Sequence, residues 1–433
     1  SFYTRRCLTE DPSWSLITVP HLTELCLQHI VHNFEKNPIL NYLLPEHQRK
    51  VVDRLPTSLP LTVTANIVSH EDYWKRCCLE RWQVCEISNY GGSWKRMFFE
   101  RHLENILEFF VPNTTDPNQV LELIPLCKGY VRKLEINQFL PPVREEQKEE
   151  GNDHSDKEDD TELSEVYTHH YNLKDLITAL PHLEELHLTY GVKGCGMNFE
   201  WSLFNFTERD CSNLAAAVKM CHNLKVFKLT QSKVNDDQTK LLARNLMDHP
   251  CLLELDLSHN LIKDHGAQAL GKLLSHSRLE ILHLCNNQIR HRGAQALAQG
   301  LAESSTLTSM NLRLNCVEDK GGEAIGRALL TNTSLKSLHL GSNKLSEPTA
   351  AVFSQVLAQN TSLTSINFSC NRLGLVGGKH LLQGLANNKT VTELDLRHAE
   401  MEQETDFLIH QIVWANREAV RLGSLQQPTV EPS

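Results

Sequence analysis

The chain has 433 residues, 40% of them apolar and 22% charged, with 43 Lys plus Arg against 53 Asp plus Glu and a formal net charge of −10. That is enough for roughly three domains' worth of core, and the acidic balance argues against a basic nucleic-acid-binding protein or polybasic attachment to a membrane. No run of 18 apolar residues is present to span a bilayer, and the chain starts at Ser1 without a methionine, which leaves room for a preceding segment.

Residues 1–112 predict a small α-helical domain. Leu22, Leu25, Cys26 and Ile30 keep helical spacing, as do Leu103, Ile106, Leu107 and Phe110. Pro20, Pro38, Pro45, Pro56 and Pro60 divide the region into short helices. Cys77, Cys78 and Cys85 are the tightest group among thirteen cysteines, without the spacing of a zinc site. An odd number scattered over so long a chain reads as reduced thiols.

Beyond residue 112 a short motif recurs, and the helical domain is expected to pack on and cap its first copies. Val131-Leu134-Ile136 reads as a first strand, followed by Leu183-Leu186-Leu188 and Leu224-Phe227-Leu229. Five regular copies follow, headed by Leu252, Leu279, Leu307, Leu335 and Leu363 at steps of 27, 28, 28 and 28. In full they read L-x-x-L-x-L-x-x-N-x-L, with Asn260, Asn287, Asn315, Asn343 and Asn371 at the amide position. A further copy starts at Val391 and has Ala399 in place of the Asn. The L-x-L alternation turns two side chains inward from a short strand, and each strand leads into an amphipathic segment such as Ala294-Gln295-Ala296-Leu297. One copy cannot bury its own apolar face, so stacking must supply the core. The expected fold is an α/β leucine-rich-repeat solenoid of about nine units over 113–422, with parallel strands on the concave face and helices on the convex face. A helix with Phe407, Leu408, Ile412, Val413 and Val420 would close it, and 423–433 read as a tail.

Two insertions interrupt the repeats. Residues 145–165 hold eleven acidic residues and two lysines and predict a solvated, disordered stretch. Without it the chain has 42 acids and 41 bases, so the helical domain and solenoid together are nearly neutral. Residues 191–206 carry Phe199, Trp201, Phe204 and Phe206, which suit either an interface anchor or packing over the solenoid edge. Of five N-x-[S/T] sequons, those at Asn332, Asn360 and Asn388 are 28 residues apart, a repeat spacing in which Asn serves a helix C-terminal turn.

No catalytic constellation emerges, and the expectation is a non-enzymatic protein with no cofactor and no metal. Gly266 to Lys272 fits G-x-x-x-x-G-K, but Leu273 stands where a phosphate loop needs Ser or Thr. His187, His283 and His339 share one repeat position, too far apart for joint metal coordination at about 4.8 Å per strand. What remains is a binding surface. The candidate partner-binding residues, taken as facing the concave side, are Glu254, Asp256, Glu280, His283, Asn311, Arg313, Lys336, His339, Asn367, Asp395 and Arg397, together with the four aromatics above. Their mixed signs suit a protein partner.

The 28-residue Asn-bearing copies resemble ribonuclease-inhibitor-type leucine-rich repeats. The segments Leu8 to Trp14, Asn37 to Leu40, Tyr73 to Cys78, Gly196 to Trp201, Leu312 to Cys316, Leu345 to Ala350 and Trp414 to Ala419 resemble the leucine-rich-repeat subunits of the nexin–dynein regulatory complex. That resemblance implies a scaffold in the axoneme of motile cilia and sperm flagella, in the cytoskeleton. Its implied partners are other subunits of that complex, with axonemal dynein or doublet-microtubule components as further candidates and neither nucleic acid nor membrane. It implies no catalysis. Two alternatives rest on weaker features. Leu55-Pro56, Ile67, Trp74 and Trp94 are similar to an F-box- or elongin-A-like module, which would make the chain a ubiquitin-ligase substrate receptor. The repeat type is also similar to that of the Ran GTPase activator.

Overall fold

The computed structural model describes residues 5–6, 18–19, 21–141, 170–198 and 206–425. The chain divides into two compact units, residues 1–105 with 117–131, and residues 106–116 with 132–433. Among the described residues, no helix is long and apolar enough to cross a membrane.

The first unit has a two-stranded antiparallel pair, β1 (Arg5–Arg6) and β2 (Thr18–Val19). Its helices are α1 (Leu22–His32), α2 (Pro45–Arg54), α3 (Leu61–Ile67), α4 (Glu71–Arg81), α5 (Trp94–Glu108) and α6 (Asn118–Cys127). Prolines punctuate it as expected: Pro45 opens α2, and Pro60 is the N-cap of α3. In α1 the spaced set Leu22, Leu25 and Cys26 is exposed and only Leu27 is buried, so spacing alone picks the wrong stripe. The core centres on Trp74, whose ring meets Tyr73, Phe98 and Phe99 at 5.1–5.3 Å between centroids and whose indole N–H donates to the Val68 carbonyl at 2.9 Å. Lys95 is buried beside it. Its ammonium donates to the carbonyls of Ala65 (2.7 Å) and Val68 (3.1 Å) and lies over the Trp74 and Tyr130 rings, so backbone dipoles and π faces replace its water. Cys77 and Cys78 are buried free thiols here, and burial pushes the Cys78 thiol up to about 12.

The second unit is a leucine-rich-repeat solenoid. Its strands are β3 (Lys133–Ile136), β4 (Glu185–Leu188), β5 (Val226–Leu229), β6 (Glu254–Asp256), β7 (Ile281–His283), β8 (Ser309–Asn311), β9 (Ser337–His339), β10 (Ser365–Asn367) and β11 (Glu393–Asp395). They form one nine-stranded parallel sheet in sequence order. Helices follow the strands in turn: α7 (Leu173–Thr178), α8 (Glu208–Met220), α9 (Asp236–Leu246), α10 (Asp264–His276), α11 (His291–Glu303), α12 (Glu318–Leu329), α13 (Glu347–Gln359), α14 (Gly374–Leu385) and α15 (Gln403–Leu425). Strand leucines such as Leu255, Leu282 and Leu338 are buried between sheet and helices, which is why no single copy is stable alone. Helix α15 runs past Gly423 to Leu425; the rest of the expected tail, like the acidic stretch 145–165, lies outside the described residues.

Along much of the solenoid, side-chain amides tie a unit to the one before it, on two edges. On the strand edge, Asn260, Asn287, Asn315, Asn343 and Asn371 are buried. Each donates from Nδ2 to a carbonyl of the preceding unit and to one of its own, as Asn371 does to Leu340 and Phe368 at 2.9 Å. Each also accepts at Oδ1 from a backbone N–H of the preceding unit. The residue before each of these amides is left-handed without being glycine: His259, Asn286, Leu314, Ser342 and Cys370 have φ of 53–60°, a region that costs most L-residues energy. Ladder bonds on both sides hold it there.

The second row lies at the helix C-terminal ends and uses the sequon asparagines. Asn332 donates to Leu301 and Ser304 carbonyls, Asn360 to Leu329 and Asn332, and Asn388 to Leu357, while each Oδ1 accepts backbone N–H groups ahead of the next strand. These amides are buried and fully used, so they are structural rather than glycan acceptors. Asn416 continues the row from inside α15, which therefore occupies the helix slot of the last unit. Ser277 and Ser304 hold the equivalent places earlier, and the Ser277 hydroxyl has no hydrogen-bond partner.

Candidate functional site

Strand register decides which side chains share the concave face. With Leu255, Leu282, Met310, Leu338, Ile366 and Leu394 turned inward, the residues on either side of each turn outward. One column runs Glu254, Ile281, Ser309, Ser337, Ser365, Glu393, and the next Asp256, His283, Asn311, His339, Asn367, Asp395. Seven of the residues expected here from sequence, Glu254, Asp256, His283, Asn311, His339, Asn367 and Asp395, are thus brought together. The other four are placed differently. Glu280 and Lys336 precede their strands by one residue and stand on the N-terminal rim, because alternation is set by the second leucine of the motif and not the first. Arg313 and Arg397 lie two residues past their strands, on the C-terminal rim. The face also carries Lys228, Ser309, Ser337, Ser365 and Glu393, which the consensus does not single out and which are found by counting in twos from the buried strand residue.

The two ends of this surface are charged and internally paired. Toward the N-terminal end Lys133 pairs with Glu135 at 2.8 Å, Lys228 with Glu254 at 2.6 Å, and Lys225 with Glu184 at 2.8 Å. The hydrogen bond from His187, followed by that from Lys133, holds the Glu135 carboxyl well below the usual carboxylate range against the opposing effect of burial. At the C-terminal end Arg397 grips Asp395 with two bonds of 2.9 and 2.7 Å, and Asn367 donates to the same carboxylate at 3.0 Å. The middle, over β7 to β9, carries Ser309, Asn311 and Ser337 with two histidines and an arginine, and no carboxylate in either column.

Phe199, Trp201 and Phe204 lie outside the described residues. Phe206 is 4% exposed and packs on Tyr190 at 4.6 Å, so it is part of the interior and not a partner anchor. Tyr190 stacks in turn on Phe139 at 4.4 Å and meets His170 edge-on at 5.2 Å. Beneath them the His170 Nδ1 lies 2.9 Å from the Asp210 carboxylate, with both side chains buried. Asp210 also accepts the Thr207 N–H and so closes the capping box of α8. No local pattern announces this cluster, since its members come from four separate segments. Burial raises the Asp210 pKa, but the His170 bond and the Thr207 bonds outweigh it and leave the carboxyl below its ordinary 3.8. A depressed folded-state pKa gives stability that is present above the unfolded value and lost as pH falls through the folded one. Asp210→Asn is therefore expected to lower stability at pH 7 and to flatten its pH dependence below about pH 4, read by urea unfolding at pH 7, 4 and 3. An unchanged acid limb would remove this carboxylate from the acid response.

Comparison with known proteins agrees with the architecture. A leucine-rich-repeat model matches residues 248–271, 303–326, 331–347 and 359–382. The chain is 60% identical over 268 residues to dynein regulatory complex subunit 5 of Mus musculus, a match covering 62% of this chain and 54% of that protein. The Homo sapiens subunit 5 is 59% identical over 269 residues, with the same coverage. The Chlamydomonas reinhardtii subunit 5 is 31% identical over 221 residues, covering 51% of this chain and 50% of that protein. The chain spans about half the length of the curated relatives it matches. It is a leucine-rich-repeat protein similar to these dynein regulatory complex subunits.

Proposed function

We propose that this chain is a structural subunit of the nexin–dynein regulatory complex of motile cilia and flagella. In this reading it docks other subunits of the complex on the concave face of its solenoid and so supports the control of dynein-driven motility. The observation that carries the reading is identity near 60% to mammalian subunit 5 over 268 residues, joined to an extended concave sheet with an outward side chain every second residue. Its role is non-enzymatic and its place is the axoneme. The paired charges at both ends of the sheet fix the surface before a partner arrives, which favours specificity and correct orientation over raw affinity.

Detergent-extracted axonemes from cells expressing a tagged chain provide the test. The chain is expected to stay with the axoneme and to crosslink to regulatory-complex subunits, with crosslinked positions mapping to the strand-flanking residues of β5 to β11. Recovery wholly in the detergent-soluble fraction, without those subunits, would overturn the reading. Crosslinks confined to the convex helices would keep the complex and reject the concave face.

A further inference from the structure

Across the sheet, basic side chains have acidic neighbours: Lys133 with Glu135, His187 with Glu135 and Glu185, Lys225 and Arg132 with Glu184, Lys228 with Glu254, and Arg397 with Asp395. The exception among the described residues is the centre. His283 on β7, Arg313 just past β8 and His339 on β9 come from three adjacent strands and form no ion pair. The backbone N–H of Arg313 is held by the Asn311 side chain at 3.0 Å, which fixes where its exposed guanidinium starts. Ser337 lies 3.2 Å from the His339 ring, and Ser309 and Asn311 complete a floor of hydrogen-bonding groups. Arg313 and two histidines, flanked by Asp256, Glu393 and Asp395 but ion-paired with none of them, over a floor able to donate, form a receptor for carboxylates.

We propose that this central patch receives an acidic segment of a partner protein, whose carboxylates sit against Arg313 and between His283 and His339. The proposal rests on the concave face being the docking surface. Its flanks favour a polypeptide over a nucleic acid. Glu254 and Asp256 lie on one side, Glu393 and Asp395 on the other, and a continuous phosphate backbone crossing the patch would meet them. A short acidic run spans the two strand steps from His283 to His339, about 10 Å, and stops.

The histidines make the contact pH-sensitive. Facing His283 are Asp256 from β6 and Asn311 and Arg313 from the β8 side; facing His339 are Ser337, Arg313 and His283, with Glu393 and Asp395 from β11. Burial pushes His339 below the ordinary histidine range; Glu393 and Asp395 oppose that, and His283 and Arg313 add to it. A partner carboxylate would draw the His339 ring toward the charged form, so binding strengthens as pH falls toward 6.

The probe is fluorescein-labelled hexaglutamate, with hexalysine as its charge-inverted control, read by anisotropy on the full chain at low salt. Hexaglutamate is expected to bind, more tightly at pH 6.0 than at 7.5, and to be released by added salt. Arg313→Glu should weaken it about tenfold or more, and His283→Gln with His339→Gln should abolish the pH dependence. Arg313 is exposed, so its replacement leaves the fold intact, and Arg313→Gln should give an intermediate loss. Arg292→Glu on the exposed face of α11 should change nothing; an equal loss there would reduce the effect to bulk charge and overturn the proposal. Failure of hexaglutamate to bind would also overturn it. So would binding seen only after deletion of 145–165, because the occupant would then be the chain's own acidic stretch. Peptide binding is independent of axonemal retention, so either reading can fail while the other stands.

Discussion

Replacing Asn343 with alanine is expected to cost about 1–3 kcal/mol of stability, against about 1 kcal/mol for an average substitution. The amide is fully buried. It donates to the carbonyls of Leu312, Leu340 and Gly341 at 2.8–3.1 Å and accepts the Val317 N–H at 3.3 Å. Alanine leaves the buried Val317 N–H without its acceptor and takes one of two donors from each carbonyl, Leu312, Leu340 and Gly341 keeping those of Asn315, Asn371 and the Leu314 N–H. Asn343→Asp is a stricter test, because it keeps an acceptor but points a carboxylate at three carbonyl oxygens. It should be at least as damaging. In a solenoid, stability is a sum of units and of the seams between them. Loss in the middle should therefore split urea unfolding into two transitions as well as lower the midpoint. A single unshifted transition for both variants would show that the amide row is not needed for cohesion.

Gly300→Ala is expected to destabilise by about 1–3 kcal/mol through overpacking, although helix propensity alone predicts a gain of about 1 kcal/mol. Geometry decides between the two. A Cβ on Gly300 would stand 2.1 Å from the Gly271 carbonyl oxygen and 2.9 Å from its carbon. Conversely, a Cβ on Gly271 would stand 2.4 Å from the Ala296 carbonyl oxygen. These neighbours are backbone, so the clash is relieved only by moving α10 and α11 apart. Gly423→Ala supplies the control, since nothing lies within 4 Å of its Cβ position near the end of α15. It should be neutral or slightly stabilising. A Gly300→Ala midpoint at or above that of the parent chain would show that the close helix approach is not under strain.

The solenoid is legible because the chain repeats it. Inward leucines at a fixed step, an amide, and a small residue opening each helix recur often enough for noise to cancel. The concave face is legible in part. Asp256, His283 and His339 follow directly from L-x-L, whereas Glu280 and Lys336 look concave only until the alternation is counted, because the spacing between the first two leucines is three. Where nothing repeats, sequence says less. In α1, Leu22 and Leu25 have the spacing of a core stripe, yet Leu27 is the buried one. From sequence Phe206 suits interface and interior equally, and its burial depends on Tyr190, Phe139 and His170, which no local pattern connects to it. Helix capping between units is equally hidden. Asp236, Asp264 and Asp319 each accept a backbone N–H at the start of the next unit's helix, those of Lys263, Arg290 and Ser346. A cap supplied from some 27 residues upstream has no signature at the helix it serves.

The two amide rows also bear on how the solenoid carries load. A beam tied along both flanges resists bending, and one tied along a single flange pivots about it. From Asn332 the helix side is tied by Asn332, Asn360, Asn388 and Asn416, and the strand side by Asn343 and Asn371 as far as the last unit, where Ala399 takes the amide's place. Where Ser277 stands instead, its hydroxyl bonds to nothing, while Asn260 still ties the strand side to Leu229. The helix side of the seam between α9 and α10 therefore lacks the amide tie that the later seams carry.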